Sequence, residues 1–146
     1  MRIMGRIAAL FFILAPLALA QAAGPGSAAP AQDEAPPARE FWIFFDSGQF
    51  NIRPDDRDIL DQAAAAIKKL GRPKVVLTGH TDMTGLHTSD VRLSQWRADE
   101  VKKYLVKHGV PADDITTVAK GESDPRVPTP RGVPSLDNRN VHIELK

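Results

Sequence analysis

Cysteine is absent from the 146 residues. Its absence excludes a disulfide framework, thiolate metal sites and a thioether-linked lipid anchor. An excess of one charge is missing too, since 19 Lys and Arg stand against 18 Asp and Glu. A balance near zero gives no push toward nucleic acid or anionic lipid. Long apolar runs are confined to Ile7–Leu14, and no sequence repeat is visible. The chain lacks a G-x-S-x-G elbow, an H-E-x-x-H pair and any HxH cluster. His80 and His87 stand seven residues apart across a turn-like stretch, a weak spacing for metal. We therefore expect no catalysis, no metal and no cofactor.

The ends differ from the rest. Arg2 and Arg6, the apolar run, Pro16 and Ala18-Leu19-Ala20 form the pattern of a cleavable export signal over residues 1–20. An apolar stretch of about 14 residues falls short of the ~20 that a spanning helix needs. Removing both arginines leaves 17 basic against 18 acidic residues. Residues 21–40 are rich in Ala and Pro, with Pro25, Pro30, Pro36 and Pro37 and hardly a large apolar side chain. Such a segment buries no core and is expected to be a disordered linker. Residues 41–146 are long enough for one compact domain.

Along that domain, Phe41-Trp42-Ile43-Phe44-Phe45 is a short apolar strand, stopped by Asp46-Ser47-Gly48. Pro54 suits the first turn of a helix whose face is Ile59, Leu60, Ala63, Ala64, Ile67 and Leu70, ending at Gly71. A strand over residues 74–78 and a helix over 90–107 follow, then a strand over 115–119. Pro128, Pro130 and Pro134 make residues 126–138 an irregular loop. Val141, Ile143 and Leu145 alternate with polar residues in a last strand. The order β-α-β-α-β-β predicts an α+β sandwich, with helices packed on one face of a small mixed sheet.

Thr78 to Ala98, TGHTDMTGLHTSDVRLSQWRA, carries the chemistry. Asp82 follows the strand, and Arg97 sits among Leu93, Ala98, Val101 and Leu105 on or beside the stripe that faces the core. A guanidinium there needs an anion or open water, because an unpaired buried charge is costly. Either Asp82 is its partner, or both groups face a bound molecule that carries both signs.

Gly79-His80-Thr81-Asp82, Gly85, Leu93-Ser94, Arg97-Ala98 and Val101 resemble the signature of the OmpA-like peptidoglycan-binding domain family. Phe44-Phe45-Asp46-Ser47, Gly109-Val110-Pro111, Gly121-Glu122-Ser123-Asp124-Pro125 and Asn138-Arg139-Asn140-Val141 are similar to its other segments. The resemblance runs from Phe41 to the end. It implies the same α+β fold and non-covalent binding of peptidoglycan through meso-diaminopimelate, whose side chain ends in an ammonium and a carboxylate. It assigns the ammonium to Asp82 and the carboxylate to Arg97, a task that a guanidinium's fork of donors suits.

The resemblance also marks the loop Asp46, Ser47 and Gly48, either as amides that meet ligand carboxylates or as an ordinary turn. Thr81 either bonds ligand or caps a turn, and Leu93 either covers the ligand's aliphatic chain or is plain core. Two positions depart from the family pattern. Asp90 stands where Asn is usual, so an acceptor replaces a donor and acceptor. Asn140 replaces the second Arg of NRRV, while Arg139 keeps a candidate peptide or glycan contact. These features imply a stand-alone protein of a Gram-negative periplasm, without barrel or lipid anchor, whose partner is the wall. The alternative is an adaptor that uses Trp42, Trp96 or the Pro-rich loop to contact another envelope protein.

Overall fold

The computed structural model describes residues 35–146; the expected export signal and linker residues 21–34 lie outside the described residues. Six elements build the domain: β1 (Glu40–Phe44), α1 (Arg57–Lys69), β2 (Val75–His80), α2 (His87–Lys107), β3 (Ile115–Gly121) and β4 (Asn140–Leu145). The four strands form one sheet in the order β1-β4-β2-β3. β4 runs antiparallel to both β1 and β2, and β2 runs parallel to β3. The mixed α+β architecture expected from the element order is the one observed.

Period-two patterning decides which face of the sheet is covered. Phe41 and Ile43, Val75 and Leu77, and Val141, Ile143 and Leu145 are buried, and Phe45 continues the same row. Against them lie Leu60, Ala63, Ala64 and Ile67 of α1 and Ala98, Val101 and Leu105 of α2. On the opposite face Trp42 stacks on His142 with ring centroids 4.0 Å apart, and the Arg126 guanidinium lies 4.9 Å from the Trp42 ring.

The boundaries shift for local reasons. Pro54 opens a 3₁₀ turn, Pro54–Asp56, that leads into α1, and Arg53 closes it by donating to Asp56 at 2.8 Å. Gly71 takes φ +74° beyond the C-terminus of α1, which a glycine does without strain. α2 starts at His87, three residues ahead of the expected Asp90, and no side chain caps it: Leu86 is the N-cap. The Ser89 hydroxyl instead donates to the Leu86 carbonyl. β3 extends to Gly121, past an irregularity in its pairing with β2 at Gly79/His80.

Gly79 brings α2 down onto the sheet. A Cβ there would overlap the backbone carbonyl of Ser94, so only glycine lets the helix approach this closely. The Ser94 hydroxyl donates to the Val91 carbonyl and accepts from the Gly121 amide, which ties α2 to β3 at the same level. This clamp sets the height at which the next turn of α2 presents Arg97.

Candidate functional site

Arg97 is fully buried, and all three of its hydrogen bonds go to backbone carbonyls. Nε donates to Gln49 (2.8 Å), Nη1 to His80 (2.8 Å) and Nη2 to Asp46 (3.1 Å). The guanidinium lies 5.2 Å from the Phe45 ring centroid. One side chain thus pins the loop after β1 to the end of β2. Two of its five N–H donors remain beyond these bonds. Burial pushes its pKa down to about 10, and the charge of Arg139 pushes the same way against Asp82 and Asp90. It remains a cation at neutral pH.

The ion pair between Asp82 and Arg97 that the sequence offered is not formed. Asp82 pairs with Arg139 instead, Nη1 to Oδ2 at 2.9 Å, and accepts from the Thr84 hydroxyl at 2.6 Å and the Ser135 amide at 3.2 Å. The reason is reach: Arg97 is already held by carbonyls, whereas Arg139 sits beside Asp82 at the start of β4. Burial alone raises the Asp82 pKa, but the hydrogen bonds from Thr84, Arg139 and Ser135 outweigh it and hold the carboxyl below its ordinary range. Arg139 is also fixed at its base, where Nε donates to the Phe45 carbonyl at 3.0 Å.

The loop residues Asp46, Ser47 and Gly48 are exposed. The Asp46 carbonyl accepts from Arg97 and from the Gln49 amide, which closes a tight turn. Gly48 has φ +66° with open space where a Cβ would lie, so its backbone angle, not crowding, calls for glycine. The amides of Ser47 and Gly48 donate to no protein acceptor among the described residues. Thr81 is buried, its amide bonded to the Gly121 carbonyl and its hydroxyl without a partner. Leu93 is half-buried on α2, outside the fully covered stripe.

Asp90 lies buried in the first turn of α2, packed against Gly85, where any Cβ would strike its carboxylate. Its Oδ2 has no partner. Burial raises its pKa, and the charges of Glu122 and Asp82 add to the rise. Glu122 is itself buried, and its Oε1 accepts from Arg131 at 2.6 Å and faces His87 at 3.4 Å. The Asn-to-Asp departure thus concentrates negative charge behind the site. Asn140 is buried, and its amide donates to the Asp137 carbonyl at 2.6 Å.

Asp46, Asp82, Arg97 and Arg139 therefore converge at one end of the sheet, with Thr81 and Asp90 beneath them. Thr84 and Ser135 belong to the same cluster, and sequence reasoning missed them. Thr84, two residues after Asp82, was open to recognition as a local partner; Ser135, 53 residues away, carried no signal. Among the described residues no group of three or more His, Cys, Asp or Glu could hold a metal, and no helix is long and apolar enough to cross a membrane.

The chain is 32% identical over 102 residues to outer membrane protein A of Bordetella avium, covering 70% of this chain and 53% of that protein. Over 85 residues it is 39% identical to the peptidoglycan-associated lipoprotein of Pasteurella multocida, covering 58% and 57%. The chain thus spans about half the length of these curated relatives. Its fold is similar to that of the peptidoglycan-associated lipoprotein from Burkholderia pseudomallei, with a TM-score of 0.67 at 22% identity over 75% of this chain and 91% of that one. It is also similar to the cell wall anchor of the T6SS from Pseudomonas aeruginosa, with a TM-score of 0.60 at 24% identity over 73% and 81%. By name these relatives belong to the cell envelope: an outer membrane protein, two peptidoglycan-associated lipoproteins and a cell wall anchor. The pattern of the OmpA family runs through residues 44–139, more than half of the chain, and the chain belongs to that family.

Proposed function

We propose that this domain binds cell-wall peptidoglycan without covalent attachment, through the zwitterionic end of meso-diaminopimelate. Asp82 takes the ammonium. Arg97 supplies the positive charge for the carboxylate, together with the unclaimed amides of Ser47 and Gly48. One observation carries the reading: a fully buried guanidinium is held only by carbonyls, with no carboxylate in contact, close to a buried carboxylate that lies at the surface end of β2. A buried cation without a contacting anion is a standing demand for one. The relative from Pasteurella multocida, named for its association with peptidoglycan, supports the same reading.

Arg139 flanks Asp82, and we assign the buried Thr81 hydroxyl and the half-buried Leu93 to the same site. A charge-assisted hydrogen bond contributes roughly 1.5–3 kcal/mol net. Three or four, offset by ordering costs, give dissociation constants roughly between micromolar and millimolar, suited to a reversible tether on a polymer of repeated sites. A lysine-type stem peptide lacks the second carboxylate and leaves Arg97 unanswered. Co-sedimentation with intact walls tests this: the protein should pellet with diaminopimelate-type sacculi and stay in the supernatant with lysine-type ones. Equal retention by both would sink the diaminopimelate assignment.

The work of such a protein is in the periplasm, and an export signal over residues 1–20 with a linker over 21–40 would deliver and space the domain 41–146. A second reading, an envelope adaptor, draws on one observation. Trp96 is 48% exposed, lies 5.6 Å from Phe50, and with Val106, Lys102 and Lys103 lines a groove of about 630 Å³ on the outer side of α2. Trp96→Ser separates the two, since it should leave wall binding intact and abolish only a protein contact.

A further inference from the structure

We propose that Arg139 is an exchangeable counter-ion, which occupies Asp82 while the site is empty and moves to a second carboxylate of the ligand when an ammonium takes its place. The inference rests on the peptidoglycan reading and goes beyond it by naming what sets the choice among wall peptides. Its basis is the mismatch between the two ends of the arginine. Nε is anchored on the Phe45 carbonyl at 3.0 Å, whereas Nη1 reaches Asp82 Oδ2 at 2.9 Å. The rigid fork can therefore turn away from Asp82 by rotating about its Nε hydrogen bond, without leaving the site.

Asp82 does not depend on Arg139 for its position. The Thr84 hydroxyl on Oδ1 and the Ser135 amide on Oδ2 hold the carboxylate from two sides. Both are neutral donors, so neither replaces the charge that a departing guanidinium removes. A ligand ammonium does. The side chains of Asp82 and Arg139 are 7% and 14% exposed, enough for an incoming group to compete at the rim.

Charge decides what the released arginine requires. Asp82 is the one carboxylate in contact with either arginine, since Asp90 acts on Arg97 only through space. A ligand with one ammonium and one carboxylate gives that carboxylate to Arg97, and Arg139 then has no contacting anion. A ligand with one ammonium and two carboxylates supplies one. A stem peptide that terminates in meso-diaminopimelate carries its free chain-end carboxylate on the same residue, three methylene groups from the ammonium–carboxylate pair. The site should therefore favour uncapped stem ends over amidated ones.

The test is titration of the full chain, wild type and Arg139→Gln, with a stem peptide ending in meso-diaminopimelate and with its C-terminal amide. In the wild type, amidation should weaken binding roughly tenfold; in Arg139→Gln it should change binding less than about threefold. A merely structural role for Arg139 would weaken both peptides alike and leave the ratio unchanged, which overturns the exchange. No effect of amidation on the wild type also overturns it. If the wild type binds neither peptide, the peptidoglycan reading falls and the exchange falls with it. Should Arg139→Gln not fold, the Arg139 Nε resonance of the ¹⁵N-labelled wild type decides: a shift on saturation by the acid but not by the amide supports the exchange, and identical spectra refute it.

Discussion

The two ends of the sheet handle buried charge in opposite ways. Near the start of β2 and β3, Asp114 meets Arg72 on one carboxylate oxygen and Lys74 on the other, at 2.9 Å and 3.0 Å. Those hydrogen bonds and charges hold its pKa low, and no polar atom of it is left over. Near the end of β2, Arg97 has no contacting carboxylate, and the Thr81 hydroxyl, Asp90 Oδ2 and Glu122 Oε2 are buried without partners. Buried polar atoms are ordinarily satisfied, so a cluster of exceptions at one end calls for an explanation that the other end does not. The first end holds the fold together. The second carries polar capacity that the fold does not use, and the proposed ligand is what would take it up.

Substitutions can break that contrast. The largest effect is expected at Arg97. Arg97→Ala takes a charged donor from each of the carbonyls of Asp46, Gln49 and His80, so it should cost about 3 kcal/mol or more in chemical denaturation and abolish wall binding. Arg97→Lys should recover only part of either, because a point charge cannot serve three carbonyls at once.

Asp82→Asn comes next. It leaves Arg139 without its carboxylate, and we expect binding to fall more than tenfold while stability drops by about 2 kcal/mol, the charge of a mostly buried pair being lost. The sign with pH follows from the lowered folded pKa. The stabilisation from Asp82 is present above its unfolded value of about 3.8 and is lost as pH falls through the folded value. Denaturation midpoints measured from pH 7 down to 3 should therefore fall less steeply for Asp82→Asn than for the wild type.

Asp90→Asn works in the other direction. Because the folded pKa of Asp90 is raised, its ionisation opposes folding above that value. The substitution should stabilise the protein at pH 7 by about 1 kcal/mol, and the gain should vanish at pH 3, where the wild-type carboxyl is protonated. Asp114→Asn should have the smallest consequence: a modest loss of thermal stability with wall binding unchanged.

Much of this was legible in the sequence. Alternation in residues 141–145 and the four-residue recurrence in α2 gave buried faces, because period reports burial directly, whereas residues 41–45, apolar throughout, marked a strand without showing which face it buries. The convergence of Asp82, Arg97 and the loop after β1 also followed from the family resemblance. Their partners did not. Arg97 is held by carbonyls, which every residue owns and no sequence displays. The Asp82–Arg139 pair spans 57 residues and depends on β4 lying between β1 and β2. The start of α2 was missed because Leu86, an unusual cap, begins it without a side-chain bond.

The most direct test of the binding site is amide NMR of the full chain titrated with a muropeptide containing meso-diaminopimelate. Saturable shifts should appear at Asp46 to Gln49, Asp82 and the Arg97 Nε, and the Asp114 end should stay still. Shifts confined to the Trp96–Val106 groove, or none in the folded protein, would contradict binding through the unsatisfied end of the sheet.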